Sequence, residues 1–180
     1  LQFLYIKLQK ETVMYKENAM LYYTMNGKNI QKHIEDGRPK ILFTTSRFTT
    51  ALQYHTRDCK EAADRLGCTT MLQIEKSGIE SICVFHFIKL IAEFMPDILF
   101  TIDHFRHERS ILQGLENLVF ICWAQDPIYD ILGKNTESKL GVRDIVLTHY
   151  ISWKKFWEVG YDKRRVIDAP IPADHHKYKN

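Results

Sequence analysis

The chain has 180 residues, enough for one hydrophobic core, and its composition is that of a globular protein. Its formal net charge of +3 is weak for this length, and scattered Lys and Arg residues do not predict a nucleic-acid surface. Four cysteines without a CxxC spacing are typical of a reducing compartment, so we expect a cytoplasmic protein. The longest apolar tract, residues 82–95, is interrupted by three charged or polar residues, which excludes a membrane span.

Residues 1–39 differ from the rest and are interpreted as an N-terminal extension. Asn26-Gly27 is the strongest two-residue hairpin signal, because a type I′ turn needs positive φ at both positions. We therefore expect a β-hairpin here. The preceding run, QFLYIKLQ, fits either a strand or a helix. The sequence Asp-Gly-Arg-Pro at 36–39 then breaks the chain before the main domain.

Six apolar runs over residues 40–168 are predicted as strands. They are residues 40–45, 69–74, 97–102, 118–123, 144–148 and 165–167. Helical patterns separate most of them, so the alternation predicts an α/β fold with a mostly parallel sheet in a three-layer sandwich.

The predicted helices have recognisable start signals. Capping boxes at Thr50-x-x-Gln53 and Ser77-x-x-Glu80 open the first two helices of the main domain. Between the third and fourth strands, Ile111, Leu112 and Leu115 recur at helical spacing and predict a crossover helix. A further helix is expected over residues 152–159, ended by Gly160.

The carboxyl ends of parallel strands form the edge at which open α/β sheets bind ligands. The residues expected at this edge are Thr45, Ser46, Arg47, Glu75, Asp103, His104, Gln125, Asp126 and His149. Several of them are equally explained as caps of the helices that follow.

Asp103-His104 is the strongest candidate pair in this set. An Asp at a strand end beside a His can orient the imidazole as a general base, although a structural Asp is the commoner outcome. Trp123 with Gln125 and Asp126 forms an aromatic and polar wall that suits a sugar, or else packs as a Trp at the sheet edge before a turn.

Other chemistries find less support in the sequence. His104, His107 and Glu108 form an HxxHE pattern, but HExxH is absent and we predict no metal. No GxSxG elbow, GxGxxG fingerprint or Walker A loop is present, which argues against a serine nucleophile and a classical NAD or ATP site.

The segments PDILFTIDHFR and LENLVFICWAQDP resemble the amino-terminal domain of GT-B glycosyltransferases, in particular the spore-maturation-protein-like group. The closing segment, with its Gly-Tyr at 160–161 and P-x-P-x-D at 170–174, looks like the usual exit from such a domain. The resemblance covers about residues 38–178. It implies a Rossmann-like domain over 40–168 and a linker over 169–180 toward a C-terminal domain that this chain lacks.

The resemblance also implies an activity, namely transfer of a sugar from a nucleotide-sugar donor to an acceptor, with no other cofactor. This domain would form the acceptor side of the cleft, and the partner domain would hold most of the donor. Asp103 and His104 would be catalytic, Arg47 would contact an anion, and substrate contacts would come from Ser46, Trp123, Gln125, Asp126 and His149. The alternatives are a non-catalytic α/β module that binds a ligand or partner, and a metal-dependent hydrolase.

Overall fold

The computed structural model describes residues 2–47, 50–75, 83–125, 140–148 and 155–169. Its regular elements are helices α1 (Gln2–Glu35), α2 (Thr50–Arg65) and α3 (Val84–Phe94), and strands β1 (Lys40–Thr45), β2 (Thr69–Ile74), β3 (Ile98–Ile102), β4 (Val119–Ala124), β5 (Asp144–Thr148) and β6 (Val166–Asp168). Two 3₁₀ turns, Arg106–Glu108 and Ser110–Leu112, lie between β3 and β4, and residues 155–158 are helical. No helix of the described ranges is long and apolar enough to cross a membrane.

The six strands form one sheet in which every neighbouring pair is parallel, in the order β2-β1-β3-β4-β5-β6. The predicted α/β class is confirmed. Strand β3 is buried along its whole length, as a central strand covered on both faces must be. Because β2 and β3 lie on opposite sides of β1, the order reverses there and leaves a crevice between the carboxyl ends of β1 and β3.

Two hydrophobic clusters cover the two faces of the sheet. On one face α2 contributes Ala63 to a cluster with Phe43, Phe100 and Trp123 of the sheet. On the other face α1 and α3 pack on the sheet in a larger cluster, whose fully buried members include Tyr23, Phe87, Leu99 and Phe120. The molecule is thus a Rossmann-like three-layer sandwich with a layer of helices on each side.

The prediction of an N-terminal β-hairpin was wrong, because residues 2–35 form the single helix α1. The turn signal appears only as a kink, where Asn26 leaves helical geometry with φ −108° and ψ 15°. Gly27 is explained by close packing, since a Cβ there would lie 2.9 Å from Nδ2 of Asn117. Burial of Tyr23 and Ile30 on either side of the kink outweighs the local turn preference.

The predicted helix between the third and fourth strands was also wrong. Two 3₁₀ turns take its place, and Gly114 follows them with φ +87°, a conformation that ends any helix. The guanidinium of Arg106 donates to the carbonyls of Leu115 (3.1 Å) and Leu118 (2.5 Å), so this segment is folded around an arginine. Leu112 and Leu115 are buried as their spacing indicated, but without a helix.

The remaining strand boundaries agree with expectation to within one residue, but the helix that the capping box at 77–80 was expected to open begins only at Val84, with Cys83 in extended geometry as its N-cap. The first, second and fifth strands match in full, and the other three start one residue later than predicted. The capping box at 77–80 and the expected linker beyond residue 169 lie outside the described residues.

Candidate functional site

The first group of polar residues lies where β1 and β2 end. The carboxylate of Glu75 accepts hydrogen bonds from Oγ of Ser46 (2.7 Å) and from the backbone N–H of Arg47 (3.0 Å) through the same oxygen, Oε2. Nε of Arg47 also donates to the carbonyl of Glu75 at 2.7 Å. The predicted substrate residues Ser46 and Arg47 are therefore brought together, and Glu75 holds both of them.

Asp103 is the first residue beyond β3 and it ties the ends of β3 and β4 together. Its backbone has φ +55°, in the left-handed region that Asp tolerates better than most residues. Its N–H donates to the carbonyl of Trp123 (3.1 Å), and its Oδ1 accepts the N–H of Gln125 (2.7 Å). These bonds give Asp103 a positioning role at the crevice.

His104 is paired with a carboxylate, and the partner that the structure shows is Glu108. Nδ1 of His104 lies 2.9 Å from Oε2 of Glu108, and Oε1 of the same carboxylate accepts the N–H of Phe105 at 2.8 Å. The two side chains are 44% and 38% exposed, so the pair is accessible to a ligand. If Nδ1 carries the proton toward Glu108, a neutral ring has its lone pair on Nε2, the atom that would accept a proton.

The environment of Glu108 favours its ionised form. Burial alone would raise the pKa of this carboxyl, but the hydrogen bonds from His104 and from the backbone of Phe105 lower the pKa below its usual value. The hydroxyl of Thr101, itself buried, donates to the carbonyl of His104 at 2.7 Å and fixes the backbone of the histidine. The backbone of the His104–Glu108 pair is thus held in place by a buried hydrogen bond.

The end of β4 brings in a residue that was not predicted from the sequence, His55. Nδ1 of His55 lies 2.9 Å from Oε1 of Gln125, and its ring centroid is 5.8 Å from that of Trp123. Trp123 is only 2% exposed, so its ring packs into the core beneath the edge. His55 lies on the second turn of α2, and the capping box at Thr50 was the signal that places this turn near the edge.

Three buried polar atoms at this end of the sheet have no hydrogen-bond partner among the described residues. They are Nε1 of Trp123, Nε2 of Gln125 and Oγ1 of Thr148. Buried polar groups are nearly always paired, because leaving one without a hydrogen bond costs free energy. A polar partner for any of these atoms would therefore be stabilising. The other two predicted substrate residues, Asp126 and His149, lie outside the described residues.

Arg109 is the second residue that sequence reasoning missed, and no local motif points to it. Its guanidinium carbon lies 4.8 Å from the centroid of the Phe87 ring. Burial lowers the pKa of Arg109, while the charges of Glu108 and Glu75 oppose that shift. The charge of Arg109 therefore interacts with both carboxylates, that of Glu75 at the end of β2 and that of Glu108.

Among the side chains described, no three His, Cys, Asp or Glu residues are grouped closely enough to hold a metal ion. Comparisons of the chain with protein-family profiles, curated proteins and solved structures found no match. The fold and the site together define a parallel α/β protein with a polar carboxyl edge, in which a histidine–carboxylate pair follows the strand at the switch point.

Proposed function

We propose that this chain is the acceptor-side domain of a GT-B glycosyltransferase, with its cleft at the carboxyl edge of the sheet. The observation that carries the proposal is the pair of His104 and Glu108, half exposed beside the crevice between β1 and β3. Open α/β sheets bind ligands at such a reversal of strand order. The resemblance of residues 96–127 to that family supplies the reaction class.

The chemistry assigned to this pair is general-base catalysis of sugar transfer with inversion. Nε2 of His104 takes the proton of an acceptor hydroxyl while the hydroxyl oxygen attacks the anomeric carbon of the donor. The bond from that carbon to the diphosphate breaks, and the diphosphate leaves with the electron pair. Glu108 positions the imidazole and stabilises the imidazolium that forms. Arg47 and Arg109 place positive charge near the leaving diphosphate.

The acceptor would be recognised by the polar atoms at the end of β4. Sugar hydroxyls are both donors and acceptors, and they match the side-chain amide of Gln125, a residue that is only partly buried at this edge. The side chain of Gln125 is also held by His55, which orients its amide toward the edge.

Calorimetry of this chain with uridine and guanosine diphosphate sugars tests whether donor binding belongs mostly to another domain. Because the proposal assigns most donor contacts to another domain, we expect dissociation constants weaker than about 100 μM and no release of nucleoside diphosphate. Micromolar binding by residues 1–180 alone would contradict the acceptor-side assignment.

The alternative is a non-catalytic α/β module that uses the same edge to bind a ligand or partner. It is favoured by the internal pairing of the edge, where Glu75 is bonded to Ser46 and Asp103 to Gln125. Both functions predict ligand binding, but only the transferase predicts that His104→Ala lowers turnover by about 10²–10⁴-fold while leaving ligand affinity nearly unchanged.

A further inference from the structure

Helix α1 has two faces of different character. Its inner face packs on α3 and the sheet through Ala19, Tyr23 and Ile30, which are buried. The opposite face is exposed and carries, at helical spacing, Phe3, Ile6, Lys10, Val13, Met14, Glu17 and Leu21. We call these seven residues the outer stripe.

The outer stripe is unusually apolar for a solvent-facing surface. Even Ile6, its least exposed hydrophobic member, has 43% of its surface exposed. Single exposed hydrophobic residues are ordinary, but five of them on one helix face, interrupted only by Lys10 and Glu17, mark an interaction surface.

The charges on the outer stripe indicate the partner, because the stripe of one chain is complementary in charge to the stripe of a second copy. Lys10 and Glu17 lie at equal distances from the midpoint between Val13 and Met14. A twofold axis at that midpoint, perpendicular to the helix, sets Lys10 of one chain opposite Glu17 of the other, and the reverse. The same axis sets Ile6 opposite Leu21 and Val13 opposite Met14, so apolar residues meet apolar residues.

We infer that the outer stripe binds a second copy of this chain, with the two α1 helices antiparallel. The contact extends over residues 3–24, a length of about 33 Å at the rise of an α-helix. The Lys10–Glu17 ion pair forms twice in one interface, as twofold symmetry requires. The inner face stays on α3, so pairing needs no change in the domain.

Charge reversal tests this arrangement by sedimentation equilibrium. Lys10→Glu sets two glutamates opposite each other at both sites, and Glu17→Lys does the same with lysines. We expect each single variant to raise the dimer dissociation constant at least about tenfold. The double variant K10E/E17K restores both pairs and should dimerise like the wild type.

Mixing the two single variants gives the sharpest test. In a mixed dimer, each glutamate of the first chain faces a lysine of the second, so the mixture should form a heterodimer although neither variant dimerises well alone. Lys28→Glu is the matched control, because it makes the same charge change on the same helix beyond residues 3–24. It should leave dimerisation unchanged.

Circular dichroism checks that every variant keeps the helix content of the wild type. A wild-type chain that stays monomeric at about 100 μM would overturn the inference. So would single variants that dimerise as tightly as the wild type, or failure of K10E/E17K to recover.

Discussion

The carboxylates at the two edges of the sheet differ in how deeply they are buried and in how they are paired. At the amino edge, Asp97 is fully buried and accepts the N–H of Lys40 (2.7 Å) and a bond from His33 (3.2 Å). Asp144, at the start of β5, is 2% exposed and pairs with Arg106 at 2.6 Å. Both carboxylates are enclosed and supplied with donors, which is what folding requires of a buried charge.

At the carboxyl edge, by contrast, the carboxylate of Glu108 is partly exposed to solvent and is paired with an exposed histidine. Glu108 is 38% exposed, and its partner His104 is more exposed still. Buried donors of Trp123 and Gln125 nearby have no partner among the described residues. The difference separates charges that hold the fold together from charges placed where a ligand can reach them.

The largest expected effect on stability comes from breaking the amino-edge pair. Arg106→Ala leaves the buried carboxylate of Asp144 without its cation and frees two carbonyls, so it should cost about 3–5 kcal/mol of unfolding free energy. Urea denaturation measures this loss. Arg164 forms a similar pair with Asp162 on the surface, and Arg164→Ala should leave the urea midpoint unchanged. A loss below about 1 kcal/mol for Arg106→Ala would show that this pair does not hold the fold.

The carboxyl-edge pair should show the opposite behaviour on mutation. Under the proposed function, His104→Ala in a protein that joins this domain to its donor-binding partner should lower turnover by about 10²–10⁴-fold, with a stability change below about 1 kcal/mol. His107→Ala, on the neighbouring exposed histidine, serves as the control. Turnover within a few-fold of wild type would exclude His104 as the base and direct attention to His55 and Gln125.

Asp103 is a third case, because it lies at the carboxyl edge but is half-buried and accepts a backbone hydrogen bond. Two substitutions test its role. Asp103→Ala removes the acceptor for the N–H of Gln125 and puts Ala at φ +55°, so it should cost about 1–3 kcal/mol of unfolding free energy. Asp103→Asn keeps an oxygen at that place and tolerates the backbone, so it should retain most of the stability. Equal destabilisation by both variants would mean that the charge, and not the hydrogen bond, is what matters.

The smallest expected effect is the pH dependence contributed by Glu108. Its pKa is lowered in the folded protein, so its contribution to stability is present above the pKa of the unfolded state and is lost as pH falls through the folded value. Glu108→Gln removes this contribution. The difference in Tm between wild type and variant should therefore be largest at neutral pH, should begin to shrink below the usual pKa of a glutamate, and should vanish only once the pH has passed the lowered folded value. A difference that is constant over this range would contradict the assignment.

The strands were predictable because each one is a short, nearly continuous apolar run with a polar or turn residue at its end. That pattern has few alternatives in an α/β chain, and it placed Asp103 and Gln125 at the correct edge. Individual side-chain partners were not predictable in the same way. The pairing of His104 with Glu108, and of Gln125 with His55, depends on turns that no local motif specifies.

The two wrong elements share one physical cause, which is packing that overrides a local signal. Asn26-Gly27 favours a hairpin in isolation, but the buried contacts of Tyr23 and Ile30 keep the chain helical on both sides of it, with a kink at Asn26. The spacing of Leu112 and Leu115 favours a helix, but Arg106 draws the carbonyls of this segment to its guanidinium. Neither tertiary contact is visible from neighbouring sequence.

The most direct measurement is a titration of the ¹⁵N-labelled chain with a panel of mono- and oligosaccharides, followed by NMR. We expect the backbone resonances of Asp103, His104 and Gln125 to shift together with the indole N–H of Trp123, while those of Asp97 and Asp144 stay fixed. Shifts confined to the amino edge or to α1, or none with any saccharide at about 10 mM, would contradict a sugar site at the carboxyl edge.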